Sequence, residues 1–377
     1  MHQVLFYPVG NGDTSQIILE NGKRILFDFR HLKKAEKEGE PHIDLHARLK
    51  DELKKADRTS FDVVAFTHGD KDHIANSTEF FELQHAAKYQ GEGRIKIDEL
   101  WVPAAMILET ATNDEQSSEF VIWRQEARYR LRKGKGIRVF SKPDMLKDWL
   151  EENDLTIESR KDFLTDAGQV VPGFSLTNDG VEFFCHSPFV KHVDEGDDLR
   201  NDAALIFNVR FKTGSQTFDY LAVGDSTWEV LEDIVRTTKA HGREDRLKWD
   251  LFNIPHHCSY KALAEEKGDP ETIPAPLVKE LLLSGKAGAY LVSSSHRIPE
   301  TGKSEDGQQP PHVEAKRCYK NYLAKVGGTK FLVTMEESGA DKPEPLTFKI
   351  ESTGISRVRT VVTGVPAILS NPTPKAG

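Results

Sequence analysis

Apolar and polar positions fall in short alternating blocks along most of this chain. Val4-Leu5-Phe6-Tyr7 is an apolar block, closed by the turn cluster Gly10-Asn11-Gly12-Asp13. Ser15–Leu19 and Arg24–Phe29 are two more strand-like runs, and the Asn21-Gly22 pair between them is a hairpin signal. Residues 30–58 read as a solvated loop and then a helix, with Ile43, Leu45, Leu49 and Leu53 as its apolar marks. Phe61–Thr67 is rich in β-branched residues and has the make-up of a buried strand. It ends in His68-Gly69-Asp70-Lys71-Asp72-His73, and a helical pattern through Ile74, Phe80, Phe81 and Leu83 follows. Leu100-Trp101-Val102 is another buried strand, whereas residues 109–180 are polar, mixed in period, and read as an insertion or a helical layer. Strands return at Val181–Cys185, Ala203–Val209 and Phe218–Val223, the last closed by Gly224-Asp225-Ser226 and a helix over Thr227–Thr237. Trp249–Ile254 ends in Pro255-His256-His257-Cys258-Ser259, and Ala289–Ser293 and Phe331–Thr334 complete the set.

Strands and helices thus alternate in two halves of similar layout. Polar residues gather at the C-terminal ends of strands, the edge at which α/β folds bind ligands. The pattern predicts one domain over 1–360 and a frayed tail over 361–377, which holds Pro366, Pro372 and Pro374. With 38% hydrophobic and 29% charged residues in 377, the chain is globular rather than disordered. No run approaches the roughly 20 apolar residues of a membrane span. Met1–Phe6 enters a strand directly, without the basic and apolar segments of an export signal, so a cytoplasmic location is expected. Three widely spaced cysteines form no CxxC pair and suit neither a disulfide framework nor a zinc ribbon. The net charge of -9 argues against a general nucleic-acid coat protein but leaves room for a local basic patch.

His68, Asp70, Asp72 and His73 are four potential metal ligands within six residues, on a turn after a buried strand. At that spacing they can converge on two neighbouring cations. Imidazoles suit Zn, Mn and Fe, and carboxylates suit harder ions and can bridge. A surface turn with Asp72 as a helix cap is the bland alternative. Taken singly, Asp225 could be a cap, His256 and His257 ordinary polar residues, Asp28 a turn residue and Asn201 the start of a strand. Their joint occurrence at strand ends makes the bland reading of each less adequate. A basic stretch, Arg124, Arg128, Arg130, Arg132, Lys133, Lys135 and Arg138, is interleaved with Trp123 and Tyr129. It reads as a phosphate-tracking surface or as a solvated helix. The acidic run Asp194–Asp198 precedes Asn201.

On these residues the chain resembles the metallo-β-lactamase superfamily and, within it, the ComEC-type branch. The Val-Gly-x-Gly-Asp turn is Val9–Asp13, the strand-terminal Asp is Asp28, and the H-x-[HD]-x-D-H signature is His68–His73. Asn201–Leu205 approximates Asn-x-x-Ser-Leu with Ala204 for the serine, and Gly224-Asp225 matches the Gly-Asp strand end. Pro255–Ser259 matches Pro-His-His-Gly-Ser with Cys258 for the glycine, and Pro311-His312 corresponds to a later histidine segment.

The resemblance implies an αββα sandwich, two mixed β-sheets face to face with helices outside. It also implies a dinuclear-metal-dependent hydrolase. His68 and Asp70, with Asn201, would serve the first ion; Asp72, His73 and His257 the second; and Asp225 would bridge, so that Asp72 and Asp225 take part in catalysis. Asp28 and His256 would stand behind the ligands. The ions expected are Zn or Mn, with Mg suited to the oxygen-rich first site. The expected substrate is a phosphodiester, DNA among the candidates, contacted by His312, Ser259, Arg128, Arg130, Arg132 and Lys133. A small ester, lactone or thioester hydrolase of the same fold and a weakly catalytic metal-binding scaffold are the alternatives. No membrane association is expected.

Overall fold

The computed structural model describes residues 1–109, 117–194, 201–300, 309–339 and 342–358. The tail 361–377 and residues 195–198 of the acidic run lie outside them. In chain order the strands are β1 (His2–Phe6), β2 (Ser15–Ile18), β3 (Arg24–Phe27), β4 (Ser60–Ala65), β5 (Lys96–Pro103), β6 (Ile137–Phe140), β7 (Leu164–Thr165), β8 (Val181–Ser187), β9 (Ile206–Thr213), β10 (Gln216–Val223), β11 (Trp249–Asn253), β12 (Gly285–Ser293), β13 (Lys330–Val333), β14 (Leu346–Glu351) and β15 (Gly354–Arg357). They form two sheets, ordered β15-β14-β1-β2-β3-β4-β5-β6-β7 and β13-β12-β11-β10-β9-β8. Both are mixed: β3 to β7 run parallel in the first sheet, as do β10 to β13 in the second.

The longer helices are α1 (Leu45–Lys55), α2 (Ser118–Lys133), α3 (Asp144–Glu151), α4 (Trp228–Ala240), α5 (Pro276–Leu283) and α6 (Val313–Lys325). Three apolar layers follow. Phe6, Phe27, Trp101, Phe183, Phe207, Tyr220 and Leu251 fill the space between the sheets. Leu49, Leu53, Trp123, Leu131 and Leu146 seat α1, α2 and α3 on the first sheet. Leu231, Ile234, Leu281 and Tyr319 seat α4, α5 and α6 on the second. The architecture is an αββα sandwich. Strand β5 illustrates the pattern: Trp101 enters the inter-sheet layer while its neighbours Leu100 and Val102 point to the helices, as a period of two demands. Because both faces are covered, the strand reads as a continuous apolar run. Among the described residues no helix is long and apolar enough to cross a membrane.

The described part of 109–180 supplies α2, β6, α3 and β7, and the two strands extend the first sheet. The helix expected after His73 is broken into single turns, Lys71–Ile74 and Ser77–Phe80. Asn76 between them is left-handed (φ 59°), its N–H held by Glu119 at 2.5 Å and its side-chain amide by the His31 carbonyl at 2.7 Å. Those tertiary bonds outweigh the local helical period.

Trp101 is wholly buried between the sheets. Trp101→Ala should destabilise the fold by about 3–5 kcal/mol in a denaturant titration. A loss below about 1 kcal/mol would mean that the sheets do not close on this ring.

Candidate metal centre

The site begins with a carboxylate at the end of β3. Asp28 is left-handed (φ 54°), a conformation that Asp tolerates, and it is 1% exposed. Because β3 and β4 are parallel neighbours, their C-terminal ends lie side by side. Asp28 Oδ1 accepts the backbone N–H of Thr67 at 2.7 Å, and Oδ2 accepts the Thr67 hydroxyl at 2.7 Å. The same Oδ2 accepts His73 Nδ1 at 2.7 Å. Across the sandwich Gly224, at the end of β10, presses on this hub. A Cβ there would stand 2.6 Å from Thr67 Cβ, so only glycine lets Asp225 arrive at this depth.

Hydrogen bonding then sets the tautomers. His257 Nδ1 donates to the Ser294 carbonyl at 2.9 Å, and His73 Nδ1 donates to Asp28. His68 Nδ1 lies 3.1 Å from the Thr67 hydroxyl, whose own proton goes to Asp28. Each ring is therefore tethered through Nδ1 and turns Nε2 inward. His68 Nε2 and His73 Nε2 are buried without a hydrogen-bond partner. Carboxylates meet these nitrogens. Asp225 Oδ1 is 3.4 Å from His73 Nε2, and its Oδ2 is 3.4 Å from His257 Nε2. Asp72 Oδ2 is 3.1 Å from His257 Nε2, and Asp70 Oδ2 is 3.6 Å from His68 Nε2. Asp13 joins the same group, 5% exposed, with Oδ2 unpartnered.

The electrostatics are those of a cation trap. Burial alone would lower His73 and His257, but Asp28 and Asp225 around the first and Asp225, Asp72 and Asp13 around the second raise both well above the ordinary imidazole range. Burial would raise Asp225, yet His257 and His73 hold it well below the usual carboxylate range. Burial pushes Asp13 up to about 6, and burial with His73 beside it pushes His68 down to about 4. Protons on Nε2 of His73 and His257 occupy the inner positions at which a divalent ion would be ligated. Orphaned inward nitrogens, oxygens from several carboxylates and near-complete burial together suit divalent ions with mixed nitrogen and oxygen ligands.

His257, rather than His256, reaches the cluster. His256 stands at its rim, 22% exposed at the side chain, with Nε2 3.8 Å from Asp225. His256, His257 and Cys258 are all left-handed, with φ of 51°, 51° and 69°. Cys258, where the resembled motif has glycine, thus holds a backbone shape that glycine adopts more readily. Asn201 is half-buried on the turn before Leu205, whose N–H donates to the Thr67 carbonyl at 2.9 Å. Ser259 caps a short turn, accepting Lys261 N–H at 3.2 Å. His312 is buried beside Tyr260, and its N–H donates to the Cys258 carbonyl at 3.0 Å. Asp13, Thr67 and Ser294 are the site residues that sequence reading passes over. Asp13 alone leaves a signal there, in the Gly-x-Gly-Asp turn.

The basic stretch is a correction. Arg130 is 1% exposed and paired through Nε to buried Glu126 at 2.7 Å, while its Nη1 binds the Ile97 and Gly136 carbonyls at 3.1 and 2.8 Å. Arg128 Nε donates to the Ile107 carbonyl at 2.8 Å, and Arg124 to the Glu109 carbonyl. These cations satisfy the protein's own backbone. Arg132 and Lys133 are exposed at the C-terminal end of α2, whereas its other end, at Phe120, packs on Gly69 beside the metal-ligand turn. The helix therefore carries the basic residues away from the centre.

A second group, His31, Glu36 and His46, also brings three ligand atoms near one another. There the imidazoles stack with centroids 3.8 Å apart and planes 13° from parallel. Their in-plane lone pairs run side by side instead of converging.

No protein-family model matches the chain, and no curated protein matches its sequence. Solved structures similar to it include a diphosphatase from the PhnP family (10% identity, TM-score 0.34, 93% of this chain and 98% of that one). Two others are class B3 metallo-β-lactamases. The di-zinc enzyme LRA-12 from an Alaskan soil metagenome has 11% identity and a TM-score of 0.32 over 85% of this chain and 90% of its own. BJP-1 of Bradyrhizobium japonicum has 13% identity and a TM-score of 0.31 over 74% and 89%.

Two outcomes are expected. Ligating imidazoles must lose their protons, so divalent-ion affinity should rise with pH and fall steeply on acidification. Calorimetry in buffers of different ionisation heat should detect proton release on loading; no release contradicts ligation by His73 and His257. Arg130→Ala should cost about 3–5 kcal/mol of stability, because buried Glu126 would lose its cation and keep only its contacts with Gln84 and His85. A stable Arg130→Ala protein with weakened DNA binding would restore the phosphate-tracking reading.

Proposed function

We propose that this chain is a dinuclear-metal-dependent hydrolase acting on phosphodiesters. The observation that carries the reading is the placement of Asp225, which offers one carboxylate oxygen to His73 Nε2 and the other to His257 Nε2, each at 3.4 Å. Both imidazoles belong to the ion that Asp72 would share, so this carboxylate is set as a ligand there, and its bridging to the ion of His68 and Asp70 is part of the proposal. His68 and Asp70 would hold one ion, Asp72, His73 and His257 the other, with Asp225 between them and Asn201 near the first. Zn or Mn suits the nitrogen-containing set, and Mg becomes suitable where Asp70 and Asn201 predominate. When bound, such a pair supplies an activated water and charge stabilisation for the attacking and leaving oxygens of a phosphoryl centre.

The protein's own groups prepare that chemistry. Asp28 and Thr67 fix the His73 and His68 rings, and the Ser294 carbonyl fixes His257. Each would therefore receive an ion without a rotamer search. Asp72, with a side chain 35% exposed, faces the open side and stays ionised because His257 and His73 outweigh the effect of its burial. Asp13, raised to about 6 by burial, is mostly ionised at neutral pH and takes up a proton on mild acidification. An anionic substrate fits two divalent ions that would offset the negative charge of the site's carboxylates. The internal use of Arg124, Arg128 and Arg130 favours a compact phosphodiester over a long nucleic-acid track.

Asp225→Asn keeps the shape and removes the charge. It should lose metal and reduce phosphodiesterase turnover by more than the roughly 10–100-fold typical of a residue that only supports a ligand. Elemental analysis and the rate on bis(p-nitrophenyl) phosphate check this. Two retained ions with near-normal turnover would remove Asp225 from the metal centre.

A further inference from the structure

A cavity of about 900 Å³ lies beside the metal centre and contains none of its ligands. That size is within the range of small-molecule sites. Three of its walls continue the loops that build the centre. Asn11 is two residues before Asp13, His296 two after Ser294, and Pro311 one before His312, whose N–H is bonded to Cys258. Asn11 ties these walls together, donating to the Pro310 carbonyl at 2.7 Å and accepting His296 N–H at 2.8 Å. The cavity is therefore in register with the centre.

Among the described residues its charge is one-sided. The acids on the wall are already neutralised: Glu300 pairs with Lys316 at 3.1 Å and Lys320 at 3.2 Å, and Glu336 accepts Ile298 N–H at 2.8 Å and lies 3.5 Å from Lys316. Arg297 has no ion pair among the described residues, and it is exposed beside His296. His42 is 5% exposed, yet neither ring nitrogen has a hydrogen-bond partner, the nearest carboxylate being Glu40 at 3.9 Å. Its ring meets that of His296 edge-on, with centroids 5.8 Å apart. A buried imidazole without partners, beside a second imidazole and an uncommitted guanidinium, is a set of donors lacking an acceptor.

We propose that this cavity is the subsite for the non-scissile part of a compact phosphodiester carrying a second phosphate, which His42, His296 and Arg297 receive. The assignment rests on the phosphodiesterase reading for the scissile group. The second phosphate would be held by hydrogen bonds from the two rings and a charge-assisted fork from Arg297, while Ile298 and Pro311 line apolar wall for the organic part.

The test is calorimetric, on the metal-loaded full chain, with thymidine 3′,5′-bisphosphate and thymidine 3′-monophosphate as probes. The bisphosphate should bind at least about tenfold more tightly. The double variant His296→Ala/Arg297→Ala, at exposed positions, should bring the ratio close to one, and His42→Gln should reduce it. Equal affinities in the wild type, or a ratio that survives the double variant, overturn the subsite. Failure of the phosphodiesterase reading is separable. Selective bisphosphate binding without hydrolysis of any phosphodiester would leave the subsite standing and remove the reaction, whereas hydrolysis without bisphosphate preference would do the reverse.

Discussion

One buried carboxylate organises the centre. Asp28 accepts three hydrogen bonds, from the Thr67 N–H, the Thr67 hydroxyl and His73 Nδ1, all at 2.7 Å. Two of them tie the end of β3 to the loop leaving β4, and the third sets the tautomer and direction of a ring. Thr67 passes the constraint on to His68, and its crowding against Gly224 brings the second sheet to the same point. Without this hub, four loops from two sheets would have no reason to converge. With it, the imidazoles are aimed before any ion arrives.

The convergence has an electrostatic consequence. Asp13, Asp28, Asp72 and Asp225 sit within or against a group of three imidazoles that burial would otherwise keep neutral. The acids prevail at His73 and His257, which attract protons more strongly than free imidazole does, and fail at His68, where burial and the adjacent His73 outweigh them. The cluster thus has one face that draws cations strongly and one nitrogen already vacant of a proton. Such a site can be neutralised in two ways, by protons or by divalent ions, and the two compete. The adjoining cavity has the opposite character, with donors to spare, so one edge of the sandwich presents a cation trap beside an anion receiver.

The strands around the site were legible in the sequence because their apolar runs are long and end in dense ligand types. His68, Asp70, Asp72 and His73 announce themselves by number within a short turn. Asp13 is visible as a turn residue and as the end of the Val-Gly-x-Gly-Asp motif, but a Gly-rich loop explains an aspartate without a ligand role. Thr67 and Ser294 act through a hydroxyl and a carbonyl whose value depends on what lies across the fold, and no local pattern encodes that. The basic stretch misled for a related reason. Charge along a helix is read as surface, but Arg130 and its neighbours cap backbone carbonyls and a buried glutamate. β6, β7, β14 and β15 are short or near the sheet edge, so they leave little periodic signal.

The dinuclear centre is tested most directly by anomalous diffraction at the zinc edge from crystals of the zinc-loaded chain. Two peaks are expected, one on either side of the Asp225 carboxylate, within ligand distance of the Nε2 atoms of His68, His73 and His257. A lone peak at His31, Glu36 and His46, or no peak within reach of Asp225, would contradict it.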